Sequence, residues 1–200
     1  MITVNNRLNK VFDEDIINGK FTISDSLNFI DDHAFYGCES LKEIIIPNNV
    51  IDIGNSSFSG CKSLEKVVIP NSINSIKNYT FYGCYSLKEI IIPCGVNDIG
   101  TFAFAHCRSL EEITISDSVS SIVDGAFYAC KSLKEIIIPN SVSSVGDYIF
   151  WGCESLEKII IPDTIQLDET ITWFDCLTNQ NCIIYYQEKK YKVEDVLLYF

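Results

Sequence analysis

Cysteine recurs along this chain at a fixed interval of 23 residues: Cys38, Cys61, Cys84, Cys107, Cys130, Cys153 and Cys176. Three residues before each stands an aromatic: Phe35, Phe58, Phe81, Phe104, Phe127, Phe150 and Trp173. Ser-Leu follows two residues after each of the first six, from Ser40-Leu41 to Ser155-Leu156. A strict period of this length marks stacked repeats. A lone repeat has two open faces, so it cannot bury enough apolar surface to offset the entropy of ordering its backbone. Stability must then come from contacts between neighbouring copies.

Within one period the apolar positions are Leu41, Ile44, Ile46, Val50, Ile53, Phe58 and Cys61, with Pro47 between them. The next copies read Leu64, Val67, Ile69, Ile73, Ile76, Phe81, Cys84 and Leu87, Ile90, Ile92, Val96, Ile99, Phe104, Cys107. The segment Glu43 to Ile46 and its equivalents are short and β-branched, which predicts strands. Stacked in register they form one parallel sheet. Pro47, Pro70, Pro93, Pro139 and Pro162 lack the donor needed to continue a ladder, so each ends a strand and opens a turn. The pair Val50 and Ile53 returns across the opposite face as a short strand or turn, with Gly54, Gly100 and Gly146 just beyond.

A degenerate copy with Phe21, Ile23, Leu27, Ile30, Phe35 and Cys38 precedes these, and another follows with Cys182 and Ile184 at its two strand positions. The reading is a mainly β solenoid of about eight rungs over residues 21–184. Residues 1–20 form an N-terminal cap and 185–200 a C-terminal cap. The tail Val193 and Val196 to Phe200 is apolar enough to cover the last rung, or to pair end to end with another copy.

The cysteine column has a simple consequence. Residues one period apart lie about 4.8 Å from each other, whereas a disulfide needs Cβ atoms at roughly 3.8 Å. The seven thiols therefore read as a buried file of small apolar groups. Cys94 stands apart, at a turn position held elsewhere by Asn48, Asn71, Asp117, Asn140 and Asp163, and is expected to be the most reactive thiol.

The pattern Leu-x-x-Ile-x-Ile-Pro-x-x-Val-x-x-Ile-x-x-x-Ala-Phe-x-x-Cys resembles the BspA-like (Treponema pallidum-type) leucine-rich repeat. Leu133, Ile136, Ile138, Pro139, Val142, Val145, Phe150 and Cys153 carry it well, although Ile149 replaces the usual Ala and Ser116 replaces one proline. The ninth position, Asn or Cys in the common leucine-rich consensus, reads Asn49, Ser72, Gly95, Ser118, Ser141 and Thr164, so a buried asparagine ladder is absent. The resemblance implies a right-handed solenoid used for protein binding, in surface proteins that adhere to host proteins or cells, and also in some intracellular proteins. It brings no shared catalytic residue.

Two outward columns are candidate binding surfaces. Strand alternation turns Ile45, Val68, Ile91, Thr114, Ile137 and Ile160 away from the core. They read either as strand propensity or as an apolar interaction stripe. The residues after the core aromatics include Tyr36, Tyr82, Tyr128 and Trp151, types enriched at binding hot spots. They read equally as packing between turns. Charged columns flank the stripe: Lys42, Glu65, Lys88, Glu111, Lys134, Glu157 alternate in sign, and Glu43, Lys66, Glu89, Glu112, Glu135, Lys158 alternate except for a run of three glutamates.

Nothing in the sequence points to catalysis, a cofactor or a metal. His33 and His106 fall in different columns, and there is no Cys-x-x-Cys, phosphate loop or nucleophile elbow. Cys107 adjoins His106, but consecutive residues point apart. A formal net charge of −12, with 15 basic and 27 acidic residues, argues against nucleic acid and anionic membranes as partners. No apolar segment is long enough to span a membrane as a helix. Met1 to Asp15 lacks a signal-peptide core, which points inside the cell, while the family resemblance points to its surface. The expected function is non-catalytic protein binding, with a structural spacer, a self-assembly unit or an intracellular scaffold as alternatives.

Overall fold

The structure is a computed structural model and describes residues 1–166, 179 and 181–193. It is a β-solenoid of about 7 turns at the 23-residue spacing. Trp173, Phe174 and Cys176, and the tail from Val196 to Phe200, lie outside the described residues.

In chain order the strands begin with β1 (Ile2–Val4), β2 (Arg7–Lys10) and β3 (Phe29–Ile30). Each full turn then contributes one longer and one two-residue strand. The first three pairs are β4 (Glu43–Ile45) with β5 (Asp52–Ile53), β6 (Lys66–Val68) with β7 (Ser75–Ile76), and β8 (Glu89–Ile92) with β9 (Asp98–Ile99). Then come β10 (Glu112–Ile115) with β11 (Ser121–Ile122), β12 (Glu135–Ile137) with β13 (Ser144–Val145), and finally β14 (Lys158–Ile160), β15 (Ile183–Tyr186) and β16 (Lys189–Lys192). From β4 to β14 the even strands build one face of the coil and the odd strands from β3 to β13 build another.

Register follows the period. Ile44 lies beside Val67, Ile90 beside Ile113, and Ile136 beside Ile159. The single continuous sheet expected from the sequence is not formed. The even file is laddered in blocks, β4 with β6, β8 with β10, and β12 with β14, while β6 and β8, and likewise β10 and β12, lie adjacent without a ladder. The breaks coincide with a longer repeat. Leu-Lys-Glu-Ile-Ile-Ile-Pro occurs verbatim at Leu41–Pro47, Leu87–Pro93 and Leu133–Pro139, two turns apart, so the laddered pairs are the two halves of a double repeat. The seams loosen the packing beneath them. Val67 and Ile69 are 7% and 8% exposed against 1% and 2% for Ile44 and Ile46, and Ile113 and Ile115 are only partly buried.

What runs without a break is the third side of the coil. There each turn donates three backbone hydrogen bonds to the next: Tyr79 N–H to the Thr101 carbonyl, Phe81 to Ala103 and Gly83 to Ala105, at 2.8–2.9 Å. The same three bonds recur from His33 through Trp151. Two residues per turn take positive φ there, one at His33, Ser56, Tyr79, Phe102, Gly125 and Tyr148, the other at Gly37, Gly60, Gly83, His106, Ala129 and Gly152. Inside this side the phenylalanines stack from Phe35 to Phe150, with centroids 4.8–6.4 Å apart and rings within 13° of parallel. Cys61, Cys84, Cys107, Cys130 and Cys153 are fully buried, and each thiol donates to the carbonyl of the phenylalanine in the preceding turn at 3.2–3.3 Å. The file of small thiols is therefore also a weak hydrogen-bond ladder.

A second side-chain ladder sits at the turn after the even strands. No asparagine ladder is needed there because hydroxyls replace it. Ser72, Ser118, Ser141 and Thr164 donate to the carbonyls of Val50, Val96, Val119 and Val142 at 2.5–2.7 Å.

Hairpins occupy both described ends. β1 and β2 pair antiparallel and β2 continues into β3, with Leu8 beside Ile30. At the other end β15 follows β14 and turns back into β16. Here the sequence reading of Cys182 and Ile184 as the strand positions is corrected. Ile184 lies beside Ile159, two residues beyond the period, and buried Tyr186 takes the inward place beyond it. A shift of two keeps inward residues inward, and the Tyr186 hydroxyl donates to the Ile165 carbonyl at 3.0 Å.

Candidate functional site

The outward column of the even strands is in register and in solvent. Ile45 lies beside Val68, Ile91 beside Thr114, and Ile137 beside Ile160 and then Tyr185. Ile45, Ile91 and Ile137 are 61%, 69% and 53% exposed, Val68 and Thr114 are exposed, and Ile160 is half-buried. Alternation accounts for this: Ile44 and Ile46 enter the core, so Ile45 cannot. The six residues named from the sequence thus form one stripe, which Tyr185 extends by a position.

The stripe is not flat. At the seam between β6 and β8 a groove of about 520 Å³ opens over Val68, Ile91 and Thr114, with Asn71, Cys94 and Ser116 at its turn end. Val67 stands where the second halves of the later double repeats carry Ile113 and Ile159, and so leaves less side chain beneath the groove. Cys94 is exposed, unlike the other described cysteines, all of which are buried.

The flanking charges pair only in part. Lys134 meets Glu111 at 2.7 Å, Lys20 meets Glu43 at 2.7 Å and Lys158 meets Glu135 at 2.6 Å. Lys20, and more weakly Lys66, hold the Glu43 carboxyl below its ordinary range, and Lys134 does so for Glu111. The pairs are exposed, so each contributes little stability. A further charged column, not recognised in the sequence, pairs Lys62 with Glu39 and Lys131 with Glu154, both at 2.6 Å.

The second candidate column sits on the third side. Tyr36, Tyr82 and Trp151 are exposed and Tyr128 is half-buried, while Ser59 and Ala105 at the same position are buried. Sequence reasoning saw these as separate side chains. In the structure Tyr82, Tyr128 and Trp151 belong to a continuous belt with Tyr79, Phe102, His106 and Tyr148. His106 lies 5.2 Å from Tyr82 and 5.5 Å from Tyr128, Phe102 stacks on Tyr79 at 5.6 Å, and Trp151 stacks on Tyr128 at 6.4 Å. Tyr36 pairs separately with His33 at 5.7 Å. The missed signal was an aromatic three residues before the column, as in Tyr79/Tyr82 and Tyr148/Trp151. His106 bridges two tyrosines from a position where other turns mostly carry glycine, and burial, with Arg108 and Lys131 nearby, lowers its pKa.

No group of three or more potential metal ligands occurs among the described residues, and no described helix is long and apolar enough to cross a membrane. Buried thiols do not make nucleophiles. Desolvation raises the pKa of Cys38 to about 11 and that of Cys107 further still.

Comparison with known proteins agrees with the geometry. A family model described as BspA type Leucine rich repeat region matches residues 8–122 and 97–191, in six copies. Among solved structures, a leucine rich cell surface protein from Faecalibacterium prausnitzii is similar at 29% identity and a TM-score of 0.65, covering 84% of this chain and 41% of that one. The T. pallidum leucine rich repeat protein is similar at 26% identity and a TM-score of 0.53, over 80% of this chain and 64% of that one. A leucine-rich repeat protein from Eubacterium ventriosum, at 24% identity and a TM-score of 0.63, shares the fold. The chain thus spans less than two thirds of the length of these relatives. No curated protein matches it.

Proposed function

The chain belongs to the BspA-type leucine-rich repeat family, and from that premise we propose that it is a non-catalytic recognition module that holds a partner protein on its even-strand face. Repeats of this family are generally protein-interaction modules. The observation that carries the reading is the exposed, in-register stripe of Ile45, Val68, Ile91, Thr114, Ile137 and Ile160. Contiguous solvent-facing apolar residues often mark interaction sites, whereas strand propensity alone accounts for single exposed ones. The likeness to a cell surface protein supports a role in adhesion or surface recognition. Tyr36, Tyr82, Tyr128 and Trp151 form a second contact area on the adjoining side. The hairpins β1–β2 and β15–β16 support the reading of the flanking segments as caps.

The test is a pull-down from host or own-cell extract with wild type beside the double variant Ile91→Asp, Ile137→Asp. Both positions are exposed, so the fold should survive. The proposal expects a captured protein that the variant loses while its circular dichroism and melting are unchanged. Equal capture by the variant removes the stripe from consideration. A mass that rises with concentration in light scattering, with no captured partner, assigns the module to self-assembly instead.

A further inference from the structure

The groove at the β6–β8 seam has a chemical character that the rest of the stripe lacks. Its floor is Val68, Ile91 and Thr114, and it runs along the strand direction from the Glu89 end to the Cys94 end. Five residues of extended chain cover about 17 Å, so the groove matches an extended peptide of that length. Strand pairing sets Glu89 directly beside Glu112. Like charges opposite one another on a sheet destabilise it. The third glutamate of the run, Glu135, is neutralised by Lys158 at 2.6 Å, and the nearby Lys134 is engaged by Glu111 at 2.7 Å. Glu89 and Glu112 are exposed and make no ion pair among the described residues. Across the seam Lys66, one period before Glu89, also lines the groove, and its field reaches Glu43 of the preceding turn.

We infer that this groove binds an extended segment of the partner, about five residues long, that places a lysine or arginine over Glu89 and Glu112 and branched aliphatic side chains against Ile91 and Val68. The inference rests on the even-strand face being the binding face. It adds the site along that face and the sign of the partner's charge. An apolar groove supplies contact area, and the like-charged pair supplies selectivity by rejecting an acidic neighbour at the same place.

Cys94 allows a direct test, since it lines the end of the groove away from Glu89. Three synthetic pentapeptides carry an activated disulfide on a C-terminal cysteine, two valines in the middle, and Lys, Gln or Glu at the N-terminus. The Cys94 thiolate attacks the peptide-side sulfur, forms the mixed disulfide with the peptide and releases the activating thiol. Capture is read by intact mass at fixed 2-mercaptoethanol, and peptide mapping assigns it to Cys94. The Lys peptide is expected to be captured about fivefold or more better than the Glu peptide, with Gln between. Glu89→Gln with Glu112→Gln, or 0.5 M salt, should erase that order. Equal capture of all three peptides by wild type overturns the inference. The two readings separate cleanly. If replacing the valines by serine still weakens capture while charge has no effect, the stripe stands and the cation preference falls. If neither change matters, both fall.

Discussion

Gly95 sets the column consensus against the structure. Its column otherwise holds Asn49, Ser72, Ser118, Ser141 and Thr164. A repeat-by-repeat reading would therefore expect Gly95→Ser to stabilise, through about 0.5–1.5 kcal/mol for a new hydrogen bond and ~0.4–1 kcal/mol for removing glycine's unfolded-state freedom. The coordinates reverse the sign. A Cβ at Gly95 would lie 2.0 Å from the Asn71 carbonyl oxygen and 2.7 Å from that of Ile73. The Ile73 carbonyl is the acceptor the new hydroxyl would need, since Ser118 donates to Val96 in the same relation. With the acceptor that close to Cβ, the hydroxyl has no room to bond it. Both obstructing atoms are backbone, so the turn at Pro70–Ile73 must move. Overpacking of this kind costs about 1–3 kcal/mol, and the overlap at 2.0 Å belongs at the upper end. The net expectation is destabilisation by about 2 kcal/mol, a fall in Tm of roughly 4–8 °C for a chain of this size. Thermal melts by circular dichroism measure it, with Ser118→Gly as a control that loses a 2.6 Å hydrogen bond and is expected to fall by ~1–2 kcal/mol. A Gly95→Ser protein that melts at or above the wild-type temperature refutes the steric argument.

Native protein treated with iodoacetamide should alkylate at Cys94 before any other described cysteine, because Cys38, Cys61, Cys84, Cys107, Cys130, Cys153 and Cys182 are buried; peptide mapping that finds Cys84 or Cys130 labelled at an equal rate contradicts the buried file. The same burial makes stability sensitive to alkali. Desolvation raises Cys38 to about 11 and Cys182 to about 12 from 9.0, and raises Cys61, Cys84, Cys107 and Cys130 further. The folded state then holds protons that the unfolded state releases, so their contribution is complete below pH 9.0 and declines from there through about 11 and beyond. The urea midpoint should drop steeply over that window, and a flat profile to pH 11 would show that the thiols are hydrated. Phe104→Ala removes a fully buried ring stacked 5.4 Å from Phe81 and 5.9 Å from Phe127, at an expected cost of about 3–5 kcal/mol in urea unfolding; a loss below ~1 kcal/mol would mean that neighbouring turns collapse into the space.

Much of the molecule was legible before any coordinates. The 23-residue period put Phe58 beside Phe81 and Cys61 beside Cys84, and alternation turned Ile45 and Ile91 outward. Both follow from local covalent geometry and need no knowledge of neighbours. The hydroxyl ladder was visible as a column of Ser and Thr, but its acceptors were not. The belt through Tyr79, Phe102 and His106 was missed because those residues reach the surface from positive-φ positions that L side chains seldom take. A pattern search does not expect an aromatic there.

The sequence by itself determined that residues one period apart are neighbours, and hence which side chains form the core and which form the exposed stripe. Only the tertiary structure decided how those neighbours bond: among the described residues the even strands ladder in pairs, the third side alone is continuous, Ile184 lies beside Ile159, and Glu135 finds a lysine where Glu89 and Glu112 do not. A repeat length is a count along the chain and so specifies adjacency. Whether adjacent strands share hydrogen bonds, and whether adjacent charges meet, depends on separations of an ångström or less, which a count along the chain does not fix.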